Sequence, residues 1–187
     1  MTDASARRGA MEAPFTLEAP PHDRLVVTVD ELVVRAPVQE IFTVAAAVEE
    51  WPAHLAHYRH VRFLERRTDG GGIVDMSANR PFGVANWPTW WRSQMAVNHD
   101  IPWIRFRHIG GVTTGMDVEW SFTPVDGGTL ARIVHTWNGP DWPLIASFAA
   151  REVIAPVFVH GIASRTLAGL AAVAERQAQK SATLGGR

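Results

Sequence analysis

Residues 25–58 read LVVTVDELVVRAPVQEIFTVAAAVEEWPAHLAHY. The first part, 25–35, is dense in β-branched and aliphatic residues and stops at Ala36-Pro37, which predicts a strand. Pro37 suits the first turn of a helix, where its missing N–H costs nothing. Beyond it Val38, Ile41, Phe42, Ala45 and Val48 recur at helical spacing. That helix is expected to end near Trp51-Pro52, because a proline disfavours helix at the residue before it. A short second helix is expected over 53–58.

Downstream the period changes to that of strands. Segments 61–67, 72–79, 89–98, 103–109, 116–125 and 129–138 are each β-rich and separated by turn signals. Asp69-Gly70-Gly71-Gly72 and Asp126-Gly127-Gly128 are the strongest of these, since glycine supplies the positive φ of tight turns. His99-Asp100-Ile101-Pro102 is a weaker one. After Pro143 the chain turns helical to about Gln177, with Pro156 as an expected kink. The sum is an α+β domain in which a meander of about seven antiparallel strands is interrupted early by two short helices. One long helix must cover a face of the sheet. The sheet has to curl around it, which leaves a cavity where a small apolar ligand would fit.

Composition agrees with a single domain and narrows its chemistry. The chain has 187 residues, 47% hydrophobic and 20% charged, enough to bury a core. Its 18 basic and 19 acidic residues nearly cancel, so no excess of charge points to nucleic acid. Lys180 is the only lysine beside 17 arginines. With no cysteine, thiol catalysis, thiolate metal sites and disulfides are all excluded. Eight tryptophans stand against a single tyrosine, Tyr58, which suggests broad aromatic surfaces inside. Residues 1–24 are expected to be a flexible arm without the apolar core of a signal peptide, and 178–187 a flexible tail, around a domain at 25–177. No run of about 18 apolar residues is present, so no membrane span is expected and the default location is cytoplasmic.

Strand alternation sorts the side chains into two faces. Trp91, Ser93, Met95 and Val97 share one face of their strand, opposite Trp90, Arg92 and Gln94. Ile104, Phe106 and His108 oppose Arg105 and Arg107, and Val118, Trp120 and Phe122 oppose Asp117, Glu119 and Ser121. Ala131, Ile133, His135 and Trp137 oppose Arg132, Val134 and Thr136. The apolar sets are expected to be concave, and Glu119 with Arg132 to form an exposed cross-strand pair.

The inward polar exceptions are Ser93, His108 and His135, which Tyr58 and His160 can join from the helices. A lone histidine on an apolar face is as a rule a satisfied core residue. Two on facing strands with a tyrosine raise the alternative, proton transfer near neutral pH. Trp120 reads as packing, whereas Trp91 and Trp137 could stack on a flat ligand.

Other groupings say less. His54, His57 and His60 are spaced to share a helix face, yet no carboxylate follows at ligand spacing, so no metal site is expected. Gly110-Gly111 and Gly70 to Gly72 lack the strand-to-helix setting of a nucleotide loop, and no Gly-x-Ser-x-Gly nucleophile motif occurs. Ser147 and Ser164 fall on the long helix without a base.

Taken in order, Val33-Val34-Arg35-Ala36-Pro37-Val38-Gln39-Glu40-Ile41-Phe42 and Glu50-Trp51-Pro52 resemble the opening of START-like (SRPBCC, helix-grip) proteins. Trp51-Pro52-x-x-Leu55-x-x-Tyr58, Asn79-Arg80-Pro81, Trp91-x-Ser93, Glu119-Trp120-Ser121-Phe122 and Gly127-Gly128-Thr129 narrow this to the bacterial polyketide aromatase/cyclases. The resemblance spans roughly 25–176. It implies a helix-grip fold: a curved seven-stranded antiparallel sheet around a long C-terminal helix, with two short helices after the first strand. It also implies an interior pocket for a folded poly-ketone, with neither metal nor organic cofactor.

Tyr58, Ser93, His108 and His135 are the expected catalytic residues under this reading. Trp51, Leu55, Arg80, Trp91, Met95, Phe106, Trp120, Trp137 and Phe158 are the expected substrate contacts. The expected partners are a hydrophobic or aromatic small molecule and an acyl carrier protein delivering it, with the chain a monomer or homodimer. One position departs from the pattern: first-ring cyclases carry an arginine two residues after the strand serine, and here that residue is Met95. A later-ring cyclase or dehydratase fits this, as does a carrier of lipids, quinones or other hydrophobic molecules without turnover.

Overall fold

The computed structural model describes residues 16–82, 85–139 and 160–185. Seven strands, β1 (Val26–Val34), β2 (Tyr58–Arg66), β3 (Gly72–Phe82), β4 (Ala85–Asn98), β5 (Trp103–Gly111), β6 (Asp117–Val125) and β7 (Gly128–Trp137), form one sheet. Every pairing is antiparallel and the spatial order is β1-β7-β6-β5-β4-β3-β2. Helices α1 (Val38–Ala46) and α2 (Trp51–His54), linked by a 3-10 turn at Val48–Glu50, join the two edges of the sheet, and α3 (His160–Gly185) follows at the C-terminal end. This is the helix-grip architecture. Among the described residues no helix is long and apolar enough to cross a membrane.

The first helical stretch is more broken than its periodicity predicts. Pro37 sits just ahead of α1 rather than inside it, and α1 stops at Ala46 because Ala47 leaves helical backbone geometry. Trp51-Pro52 opens α2 instead of closing α1, since proline in a first turn gives up an N–H with no helical partner. The second helix also ends early. Leu55 is extended (φ −124°, ψ 94°), and Tyr58 is already the first residue of β2.

The hairpin of β3 and β4 outruns its expected ends, pairing from Gly72↔Met95 to Phe82↔Ala85. β2 stops pairing with β3 at Ala78 and β5 stops pairing with β4 at Trp91. Pro81 and Pro88 therefore lie where each strand has a free side, and their missing N–H groups break no central ladder. Two glycines are required by close approach. At Gly72 and Gly128 the positive φ (143° and 157°) would bring a Cβ to 2.0 Å from the carbonyl oxygens of Glu65 and Val34.

α3 presents Ala163, Thr166, Leu167, Leu170, Ala171, Val173 and Ala174 as a buried stripe. Facing it, the concave side of the sheet contributes Met76, Met95, Ile104, Val118, Trp120 and Ile133. The helix continues past Gln177 to Gly185 through Ala178-Gln179-Lys180, residues of good helix propensity, so the expected tail is in large part helical. Its expected onset after Pro143 and the kink at Pro156 lie outside the described residues.

The convex face carries the charges, with partners chosen by register. Arg105 stands opposite Glu119 and pairs with it at 2.6 Å, while Arg132 stands opposite Glu31 and reaches it at 3.8 Å. The expected Glu119–Arg132 pair is thus replaced, because Ser121 is the residue directly across from Arg132 on β6. Leu17 is buried, and its carbonyl accepts a hydrogen bond from Arg105 at 2.8 Å. Part of the segment ahead of β1 therefore lies against the sheet.

Candidate functional site

Between the concave face of the sheet, α2 and the first turns of α3 lies a cavity of about 90 Å³. Aromatic and aliphatic groups make most of its wall: Trp51 from α2, Met76 from β3, Trp91 from β4, Phe106 from β5, Val118 and Trp120 from β6, Ile133 from β7. Period-two alternation brings these to one side, and the curl of the sheet converges them. The polar exceptions on the wall include Tyr58, His108, His135, Thr113 and Thr166.

The two histidines are two strands apart, on β5 and β7. His108 Nδ1 lies 2.7 Å from the Thr113 hydroxyl, and the Trp91 ring stacks on the imidazole at 6.1 Å between centroids. His135 Nδ1 lies 3.4 Å from the Thr28 hydroxyl on β1. Burial among apolar groups penalises the imidazolium and lowers both pKa values to about 3, with His108 adding to the effect at His135. Both rings are neutral near neutral pH, each offering one N–H and one lone pair.

Tyr58 closes the opposite side of the cavity. Its ring packs edge-on against Trp51 at 5.3 Å and Trp91 at 6.1 Å. Burial pushes the phenol well above its ordinary range, opposed in part by a hydrogen bond from Thr166 at 3.3 Å. It is a protonated phenol at any physiological pH.

Other residues expected at the site lie elsewhere. Ser93 and Met95 are fully buried in β4 but are not part of the wall, and Ser93 Oγ has no hydrogen-bond partner among the described residues. Leu55 is packed against α3 at Gly169, away from the cavity. Trp137 is buried with its indole N–H donating to the Thr114 carbonyl at 2.9 Å, so it props the β5–β6 turn and does not touch the cavity. Arg80 stands on β3 opposite Trp87, its side chain outside the described part, and Phe158 lies outside the described residues.

The three spaced histidines do not share a helix face, because the helix ends at His54. His57 falls in the following turn and contacts Thr166, while His60 on β2 sits 3.7 Å from Asp75.

The profile of the family described as "Polyketide cyclase / dehydrase and lipid transport" matches residues 34–153. The chain belongs to this family. Among solved structures, the Zhui aromatase/cyclase from Streptomyces sp. R1128 is similar at 19% identity with a TM-score of 0.68, over 81% of this chain and 94% of that one. The di-domain ARO/CYC StfQ from the steffimycin biosynthetic pathway is similar at 21% identity and a TM-score of 0.64, over 84% of this chain and 52% of that one. A START superfamily protein from Mycobacterium smegmatis is similar at 15% identity and a TM-score of 0.57, over 82% and 97%. No curated protein matches the sequence.

Membership of this family puts the protein among polyketide cyclases, dehydrases and lipid-transport proteins, and the apolar wall of its cavity suits a hydrophobic small molecule. Several residues of the wall and its support escaped the reading of the sequence. Thr166 left a usable signal, a lone hydroxyl within the i, i+3, i+4, i+7 stripe of Ala163, Leu167 and Leu170. Thr28 and Thr113 left none, since only strand pairing and a turn carry them to the histidines. Met76 and Ile162 look like any core residue.

Proposed function

We propose that the protein is a polyketide cyclase/aromatase-like enzyme. It binds a poly-ketone or polycyclic aromatic intermediate in the cavity and promotes aldol-type cyclisation and dehydration without a cofactor. The supporting observation is that two neutral histidines and one buried phenol line a single aromatic-walled cavity. In this reading a histidine lone pair takes a proton from a carbon flanked by two carbonyls. The enolate carbon then bonds to a ketone carbon of the same chain, and the resulting alkoxide takes a proton from the imidazolium or from Tyr58. Loss of a second α-proton together with the new hydroxyl releases water and leaves the ring double bond.

A histidine with a pKa of about 3 is a weak base in the empty cavity. The enolate forming beside it stabilises the imidazolium, and in a dry site that attraction is strong. Holding the chain folded supplies the larger part of the rate gain, since orientation alone is worth about 7–11 kcal/mol in favourable cases. Delivery by an acyl carrier protein goes with this reading.

Met95, fully buried where first-ring cyclases carry arginine, favours a second reading: a carrier of lipids, quinones or other hydrophobic molecules. One experiment separates the two. The purified protein is examined by native mass spectrometry for a bound small molecule, then wild type, H108Q and H135Q are incubated with a synthetic poly-ketone. The enzyme reading expects cyclised product from wild type, and variants that still bind but form none. Bound fatty acid or quinone with no product from wild type overturns it.

A further inference from the structure

Tyr58 is the only tyrosine in the chain and is 7% exposed, so its hydroxyl depends on protein partners or a ligand. Its partner among the described residues is Thr166, itself 1% exposed, and Thr166 serves more than one neighbour. Thr166 Oγ1 lies 3.3 Å from the Tyr58 hydroxyl, 3.1 Å from His57 Nε2 and 2.8 Å from the Ile162 carbonyl. His57 is half-buried in the turn before β2, outside the cavity wall, with its ring against Tyr58 at 4.8 Å.

A count of protons limits this cluster. A threonine hydroxyl has one proton to give and two lone pairs to receive with, and the Ile162 carbonyl can only accept. Suppose His57 presents a bare Nε2 and receives the Thr166 proton. The Tyr58 phenol then has to donate to Thr166 and shows only lone pairs to the cavity. Suppose instead that His57 carries the proton on Nε2. Thr166 then accepts from His57, and its own proton, which has the Ile162 carbonyl at 2.8 Å and the phenolic oxygen at 3.3 Å within reach, can turn to the phenol because that carbonyl already receives the helical N–H of Thr166. That leaves the Tyr58 O–H for a ligand.

We propose that His57, acting through Thr166, sets the direction of the Tyr58 phenolic proton, so that both are positioning residues that let the buried tyrosine donate to a ligand carbonyl oxygen. The inference rests on Tyr58 being a ligand contact, as in the function proposed above, but the hydrogen-bonded chain itself is testable without ligand. The ligand class it selects carries a ketone or enolate oxygen at this end of the cavity. A purely hydrocarbon ligand gains nothing from it.

The test uses the full chain grown with carbon-13 at the phenolic carbon of tyrosine, which gives a single resonance because there is one tyrosine. T166V, which keeps the shape without the hydroxyl, and H57F, which keeps the ring without its nitrogens, are each expected to shift that resonance. T166S and H57Q, which restore hydrogen bonding, are expected to move it back toward wild type, an effect that a packing role does not produce. Acetylacetone, a minimal diketone, is then titrated in. It is expected to move the wild-type resonance and to bind about five- to tenfold more weakly to H57F, the worth of one neutral hydrogen bond. In a Y58F background H57F should cost nothing further.

A resonance unmoved by both T166V and H57F overturns the chain. A loss from H57F that persists in Y58F also overturns it, because His57 then acts on the ligand by another route. A wild-type resonance indifferent to acetylacetone, with the variant shifts still present, removes Tyr58 from ligand contact and so fails the functional reading separately.

Discussion

The pair of histidines in the cavity wall makes a quantitative claim about acid stability. In the unfolded chain each titrates near 6.5, whereas in the fold burial holds each near 3. Below about pH 6.5 the unfolded chain binds protons that the folded protein refuses, so stability is complete above that pH and is lost as the pH falls toward 3. The slope approaches about 1.4 kcal/mol per pH unit for each histidine. Between pH 7 and pH 5 this amounts to about 2 kcal/mol per group, and up to about 4 kcal/mol for the two together. The figure is insensitive to the folded values so long as both lie below about 4, because the unfolded state does nearly all the titrating in that window.

The assay is urea unfolding at pH 7, 6 and 5 for wild type and for H108Q/H135Q, in which the glutamines keep a hydrogen-bonding group near Thr113 and Thr28. Wild type should lose stability steeply across the series. The double variant should lose up to about 4 kcal/mol less over the same interval, whatever its stability at pH 7. Parallel pH dependences would mean instead that the imidazoles already bind protons in the folded cavity and that burial does not hold them neutral.

Two further predictions concern the frame that holds the cavity. A Cβ at Gly169 would lie 2.2 Å from Leu55 Cδ2, so the overpacking outweighs the helix propensity of about 1 kcal/mol that alanine returns; G169A should cost up to about 2 kcal/mol in urea unfolding, and adding L55A should recover part of that loss. An additive double variant would show that the contact is not what confines α3. Thr129 is fully buried and donates to the Ala36 carbonyl at 2.7 Å, tying β7 to the entry of α1. T129V should therefore cost about 1–3 kcal/mol by leaving that carbonyl unpaired, measured in the same way. T129S, which keeps the hydroxyl, should cost less.

Much of the fold was readable along the chain because each element declares its own period. Alternation at residues 103–109, 116–125 and 129–138 already put Phe106, His108, Val118, Trp120, Ile133 and His135 on shared faces, and those faces are the concave ones in the structure. Glycine runs at 70–72 and 127–128 marked the turns because few other residues take up positive φ. Helix ends were read less well around residues 46–58, where two proline-framed segments could be divided in more than one way. Leu55 settles the division by leaving the helix to pack on Gly169, a contact that belongs to α3 more than a hundred residues later.

Pairing across the sheet and the placement of α3 decided the rest. Register gave Glu119 to Arg105 and Arg132 to Glu31, and no pattern within a single strand carries that information. Trp137 shares a face with His135, yet it lies under the β5–β6 turn and outside the cavity wall, because alternation tells which side a residue faces and not how far along the strand the space extends. Thr166 meets Tyr58 and His57 only because α3 crosses the sheet at that height. Which side chains could face inward follows from local periodicity and is legible along the chain. Tertiary structure alone decided which of them meet around one cavity and which hydroxyl each polar group finds, since those depend on distances between segments far apart in the chain.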